Sequence, residues 1–280
     1  MKAFLGAALA AGLIASPAFA QSSPAPRNDL PDRFQIDTGY FHVTPDTLLR
    51  YNPAGGGGRN ISLERDLGLP SKADTFWLDT TWRVSRRQRL KLGFTKLSRD
   101  IADVRLARDL NWGGEVYNAG LSATSTSGVH ILGGYYRFAI VRNDRFEIGP
   151  TLGIGYLWLS AGIKATGTIT GPAGGATSRT LDKSASTGSI TGAVGGHANA
   201  WLLPRLAARG DFLYIKITPG NSEASVTDWR LGADYYFFHN AGLGAQYKYD
   251  RYSYDRGILS SKLGGQITYK GFQVFASFLF

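Results

Sequence analysis

At 280 residues, with 43% hydrophobic side chains, 36 glycines and no cysteine, the chain is long enough for one large domain and uses no disulfide to hold it together. A formal charge of +10 would suit nucleic acid, but the basic residues are dispersed among aromatic ones instead of gathered in a patch, which argues against that partner. Mean hydropathy of −0.14 accompanies no segment beyond the amino terminus that is apolar enough for a transmembrane helix.

Met1-Lys2 is a short positive start, Ala3–Ala15 is apolar but too short to span a bilayer as a helix, and Ala18-Phe19-Ala20 supplies small residues at a cleavage-site spacing before Gln21. Residues 1–20 therefore read as a secretory signal peptide, and losing Lys2 with it leaves 30 basic residues of the original 31 against 21 acidic ones. Residues 21–32, with three prolines and no periodicity, read as a periplasmic linker ahead of a single domain at 33–280.

The domain is a succession of period-2 runs, each with one apolar and one polar face. In Arg33–Val43, Phe34, Ile36, Thr38 and Tyr40 alternate with Gln35, Asp37 and Gly39. Thr44–Gly58, with Pro45, Pro53 and Gly55–Gly58, reads as a loop or broken hairpin, Arg59–Glu64 as a short strand and Asp66–Pro70 as a turn. Phe76, Leu78, Thr80, Trp82 and Val84 oppose Asp79, Thr81 and Arg83; after a turn at Ser85–Gln88, Leu90, Leu92 and Phe94 resume the apolar side against Lys91, Gly93 and Thr95, which makes a hairpin. Tyr117–Val141 is either one long strand or a hairpin turning near Ser127-Gly128. Phe146–Trp158 alternates, and Gly162–Gly188, rich in Gly, Ser and Thr, has no periodicity and reads as a long outer loop. Ile190–Leu202, Leu206–Ile217, Val226–Phe238 and Gly242–Ser253 are strands, and Leu259–Tyr269 and Phe272–Phe280 shift parity at Lys270-Gly271, the mark of a tight hairpin or a bulge.

These runs predict an all-β chain, a transmembrane antiparallel up-and-down β-barrel with an even number of strands, about ten to fourteen and twelve for preference. Closure would remove the sheet edges and satisfy the backbone within lipid. Trp77, Trp82, Tyr135, Tyr136, Tyr156, Trp158, Trp201, Tyr235, Tyr236, Tyr247 and Tyr249 lie towards strand ends, as in the aromatic girdles of such walls. Asp37, Asp79, Glu147, Asp211, Asp234 and Asp250 share the polar parity with Arg83, Lys91, Arg209, Arg230 and Lys248, so they are expected to face the lumen. Opposite signs there either pair to brace a narrow barrel or line a water-filled pore of little charge selectivity. The basic run Arg83, Arg86, Arg87, Arg89 and Lys91 reads as a solvated turn on the periplasmic side in preference to a phosphate site.

Local catalytic spacings are missing. His42, His130, His197 and His239 are followed two residues on by Thr44, Leu132, Asn199 and Ala241, and no Asp stands two residues before any of them. On that ground the chain is expected not to be an enzyme, and with no His/Cys cluster at ligand spacing it is expected to hold no metal or cofactor.

Two resemblances sharpen the expectation. The closing run FQVFASFLF, ending on Phe280, resembles the last strand of bacterial outer-membrane barrels, which implies an assembly signal read by the barrel-assembly machinery. The run Ile61–Leu69, followed by Trp82-Arg83 and Arg86–Leu90, with Gly242-Leu243-Gly244 and Tyr269-Lys270-Gly271 later, resembles a group of uncharacterised proteobacterial outer-membrane β-barrel proteins, in which a Glu-x-Asp-Leu-Gly-Leu run precedes an Arg-rich hairpin. That group often has His where this chain has Gln88. The resemblance implies a Gram-negative outer-membrane location, contact with membrane lipid and lipopolysaccharide, and no assigned activity. The function expected is a narrow or weakly selective, porin-like pore for small solutes, or else a structural or surface-interaction barrel acting through its outer loops.

Overall fold

The computed structural model describes residues 33–52, 59–66, 68–105, 110–112, 115–117, 122–143, 145–170, 176–218, 220, 222–258 and 261–280. The expected signal peptide, the linker and the glycine run Gly55–Gly58 lie outside them. In chain order the strands are β1 (Phe34–Asn52), β2 (Arg59–Ser62), β3 (Ala73–Arg83), β4 (Gln88–Arg105), β5 (Leu110–Trp112), β6 (Glu115–Tyr117), β7 (Ser122–Phe138), β8 (Val141–Arg142), β9 (Phe146–Thr170), β10 (Ala176–Leu203), β11 (Leu206–Ile217), β12 (Ser222–Tyr236), β13 (Ala241–Ile258) and β14 (Ser261–Leu279).

Ten of these close a barrel in the order β1-β3-β4-β7-β9-β10-β11-β12-β13-β14, with β14 pairing back onto β1 and every pairing antiparallel. The seam is closed by reciprocal bonds between the backbone of Phe34 and that of Phe280, at 3.0 and 2.8 Å. Ten is the low end of the expected range, two fewer than the favoured twelve. The difference lies in short pieces: β2 pairs with β1, β5 and β6 form a small hairpin against the end of β9, and β8 pairs with the start of β9.

Several segments read as loops are strand. Gly162–Gly188 is mostly the paired extension of β9 and β10, 25 and 28 residues long, far beyond the roughly 10 residues that span a membrane as a strand. Its Gly, Ser and Thr lack the apolar alternation that a lipid-facing strand requires. Thr44–Asn52 likewise continues β1, although it contains Pro45. Beyond Val43 the strand has lost β3 as a neighbour, and the Thr47 N–H, on the same side, bonds the Glu64 carboxylate at 2.9 Å, so the missing proline N–H breaks no ladder. No hairpin turns near Ser127-Gly128: Ser122–Phe138 is one unbroken strand, β7. Lys270-Gly271 sits inside β14, whose register against β1 runs on unbroken.

The wall is an inverted soluble protein. Ile190, Leu231, Ile154 and Phe272 are 71, 65, 64 and 64% exposed on the outside, whereas Asp37, Glu147 and Asp250 are 1–2% exposed inside. Apolar groups that shun water take the outer face only where the solvent is lipid. The interior also holds apolar clusters. Phe41, Val43, Trp77, Leu97, Val129, Leu157, Tyr269 and Phe275 pack together towards the outer half, and Trp201, Tyr236 and Leu279 close the end that carries the short turns. Four aromatics assigned to the girdles, Trp77, Tyr135, Trp201 and Tyr236, therefore turn inward; Trp82, Tyr136, Tyr156, Trp158 and Tyr235 are exposed on the outside.

Gly39 shows how the interior accommodates this bulk. It pairs with Trp77 on one side and Phe275 on the other, whose rings meet edge-on at 5.3 Å. A Cβ on Gly39 would stand 2.1 Å from the Val274 carbonyl oxygen and 2.7 Å from Phe275 Cβ. Gly39→Ala is expected to cost about 1–3 kcal/mol by overpacking, read as a lower urea midpoint in micelles.

Candidate functional site

The inward rows of the strands build a charged layer across the barrel. Arg209 on β11 forks between two carboxylates, donating to Asp37 Oδ2 and Asp234 Oδ1 at 2.6 Å each, with its guanidinium 4.4 Å over the Phe275 ring. Arg230 on β12 donates to Asp79 Oδ2 at 2.7 Å, across the barrel on β3, and lies 3.7 and 3.6 Å from Asp211 and Asp228. Lys91 Nζ meets the same Asp79 oxygen at 2.6 Å, and Lys248 pairs with Asp250. Asp79 fits because its register partner Gly93 has no side chain: a Cβ there would approach Asp79 Oδ1 to 2.7 Å. Gln35 donates to Asp37 and to Ser277, and Gln246 to Gln273, filling the space between charges.

The structure thus gathers Asp37, Asp79, Lys91, Arg209, Asp211, Arg230, Asp234, Lys248 and Asp250 into one buried region. Glu147 lies nearer the short-turn end, held by Arg89 at 2.7 Å, while Arg83 is only half-buried at that rim. The basic run expected in a solvated turn is divided: Arg86 and Arg87 are exposed, but Arg89 and Lys91 point inward and are paired. Reading the sequence placed Arg89 in the turn and missed Arg99, Arg137 and Asp228 as inward residues. Each continues a period-2 row already containing a named residue or its neighbour, so extending the rows past the obvious apolar stretch would have found them. Arg137 donates to Asp211 at 2.7 Å.

Glu64 lies outside any strand and had no such signal. It accepts from Arg99 at 2.6 Å and from the Thr47 N–H, while Arg99 also donates to Thr47 Oγ1 and to the Pro70 carbonyl. Ser62 and Asp66 brace the turn by exchanging backbone and side-chain bonds, Gly68 takes a φ of 69° that favours glycine, and Leu63 and Leu69 are buried. The segment Ser62–Pro70 is therefore a fold-over latched into the outer mouth.

From the short-turn end outward the lumen passes an apolar layer, the charged layer, a second apolar layer and this latch. Among the described residues, two cavities between side chains measure about 30 Å³ each. That is space for a few waters in each, not for a solute.

Histidine–carboxylate pairs do form, between strands. His42 Nδ1 is 2.6 Å from Asp74 Oδ1 on the outer surface, where the two residues are register partners. Inside, His197 Nε2 is 3.5 Å from Glu147 Oε1 and Nδ1 is 3.1 Å from Thr151 Oγ1, all three buried.

An antiparallel barrel with lipid-compatible side chains outside and ion pairs within defines a class: this is an outer-membrane β-barrel protein. No protein-family model and no curated protein matches the sequence. Among solved structures the chain is similar to the outer-membrane protease OmpT from Escherichia coli, with a TM-score of 0.57 at 12% identity over 93% of this chain and 99% of that one. It is more distantly similar to the Pseudomonas putida toluene transporter TodX (TM-score 0.39, 9% identity, 90 and 91% covered) and to the attachment invasion locus protein Ail of Yersinia pestis (TM-score 0.33, 11% identity, 87 and 99% covered). The likeness to OmpT corrects the expectation that the chain is not an enzyme: a protease is built on this fold. The missing His-x-Ser and Asp-x-His spacings carried that expectation, and they were a poor guide, because strand register and not sequence distance brought both histidine–carboxylate pairs together.

Proposed function

We propose that this protein is a sealed barrel that acts from its outer surface, through the long β9–β10 hairpin and its lipid-facing wall, and does not act as a conduit. The observation that carries the reading is the filled lumen, in which cross-barrel ion pairs such as Arg230–Asp79 and Arg209–Asp37 lie between two apolar layers under the Glu64–Arg99 latch. Interiors of barrels near eight strands are filled by side chains, and ten strands widen the bore only modestly. An exported chain with residues 1–20 as its signal, Phe280 as the address read by the barrel-assembly machinery, and kinship with the uncharacterised proteobacterial barrels resembled by Glu64–Leu69 all accord with this reading.

The test is conductance. Purified protein in planar bilayers is expected to stay silent across salts and voltages. Discrete, reproducible steps would return the narrow solute pore to first place.

A further inference from the structure

On nine of the ten barrel strands the outward row changes from apolar to polar towards the outer end, at a level marked by His42, Asp74, Lys96, His130, Ser160, Lys216, Thr227, Arg251 and Lys270. By the short-turn rule this level is the outer-leaflet boundary. At β12–β14 the residues just inside it form a platform. Trp229 stacks on Tyr249 (5.8 Å, 15°) and on Tyr247 (5.5 Å, 30°), and Tyr247 meets Phe272 edge-on at 5.1 Å. Tyr249 is the register partner of both Trp229 and Lys270, and Arg251 follows on the same outward row of β13.

Two charged groups elsewhere on the ring are paired, and Lys96, exposed like Lys270, stands beside no stacked ring pair among the described residues. Lys216 is engaged by Glu223 at 2.9 Å and His42 by Asp74 at 2.6 Å. Arg251 is instead anchored through one nitrogen to the Gln266 amide oxygen at 2.7 Å, which aims its fork without neutralising it. Lys270 is exposed, and no salt bridge engages it among the described residues. Asp46, opposite Thr268 on β1, stands further out and bounds the site on that side. Below the platform, Phe272, Val274, Leu243 and Leu231 offer a broad apolar strip.

We propose that this wall binds one phosphorylated glycolipid of the outer leaflet. A guanidinium with a fixed fork beside a free ammonium suits a phosphate monoester. The stacked rings lie at headgroup depth and present a negative π face to the C–H side of a sugar. Acyl chains then descend along the apolar strip. A phospholipid or a free anion would use the cations and leave the platform idle. The inference rests on the orientation used above, but not on the lumen being sealed.

The test uses the full-length mature protein in micelles, with adducts counted by native mass spectrometry. Diphosphoryl lipid A, dephosphorylated lipid A, phosphatidylglycerol and inorganic phosphate are the probes. Arg251→Ala/Lys270→Ala is expected to weaken diphosphoryl lipid A roughly tenfold or more and leave the dephosphorylated form unchanged. Tyr249→Ser should weaken both lipid A forms but not phosphatidylglycerol, and Arg251→Lys/Lys270→Arg should retain most binding. The heat-induced shift in electrophoretic mobility confirms that each variant is folded. Equal binding of phosphatidylglycerol, displacement by inorganic phosphate, or lipid A binding indifferent to the alanine pair would each overturn the proposal. A conducting wild type would strike the sealed-barrel reading and leave this one standing.

Discussion

Asp79→Ala is expected to lower the stability of the barrel by about 3–5 kcal/mol, the penalty for leaving a buried charge without its partner. One carboxylate oxygen serves both Lys91, at 2.6 Å, and Arg230, at 2.7 Å, and the cations' side chains are 4 and 7% exposed. After the deletion Arg230 keeps Asp211 and Asp228 at longer range, but Lys91 has no other salt bridge among the described residues. The loss should therefore come chiefly from Lys91, which distinguishes this account from simple loss of packing. Asp79→Asn keeps the shape and one acceptor and should lose less. Asp79→Leu/Lys91→Met removes both charges and should recover most of the loss, since a buried pair replaced by apolar groups is often neutral. Reversible urea unfolding in micelles or vesicles, followed by tryptophan fluorescence, gives these differences. An Asp79→Ala barrel as stable as the parent would mean that solvent reaches the charged layer and that the lumen is open to water.

The contrast between what could and could not be read in the sequence follows from the same wall. Rows such as Phe34–Tyr40 and Phe76–Trp82 announce strands because lipid demands apolar groups on one face only. The demand stops at the membrane boundary, so 162–170 and 176–188 show no alternation although they are paired strand. Parity also placed Asp79 and Arg230 on the inward rows, but not beside one another: 151 residues apart in sequence, they meet only because ten strands, and not twelve, set the bore. Phe41, Trp77 and Phe275 were obscured for a different reason. An aromatic residue is acceptable on either face of a membrane strand, and neither β-propensity nor hydropathy tells which. The inward aromatics had to be found from rows they share with polar residues: Phe41 with Gln35 and Asp37, Phe275 with Gln273 and Ser277. Glu64 illustrates the limit, since a residue in a turn has no periodicity, and its pairing with Arg99 depends on where β2 leaves the chain.

Trp77→Ala should cost about 3–5 kcal/mol, as large aromatic deletions in a packed interior do. Trp77 is 1% exposed, meets Phe275 edge-on and fills the space that Gly39 leaves, so the surrounding backbone cannot collapse into the hole without shifting two strands at once. Among the described residues its indole Nε1 has no hydrogen-bond partner, and the ring therefore acts as an apolar filler. It follows that Trp77→Phe, which discards the unsatisfied donor along with some volume, should cost much less than the alanine variant. Phe275→Ala should be comparably harmful, and the two deletions should not add: a double-mutant cycle is expected to give about 0.5–1.5 kcal/mol of coupling for the ring pair. The functional consequence separates the two layers. Trp77→Ala breaches the apolar layer that lies outward of the ion pairs, so brief openings absent from the parent should occur in planar bilayers. Asp79→Ala leaves that layer whole and should stay silent despite a similar loss of stability. If Asp79→Ala conducts while Trp77→Ala stays silent, the seal resides in the charge network and not in the aromatic layer.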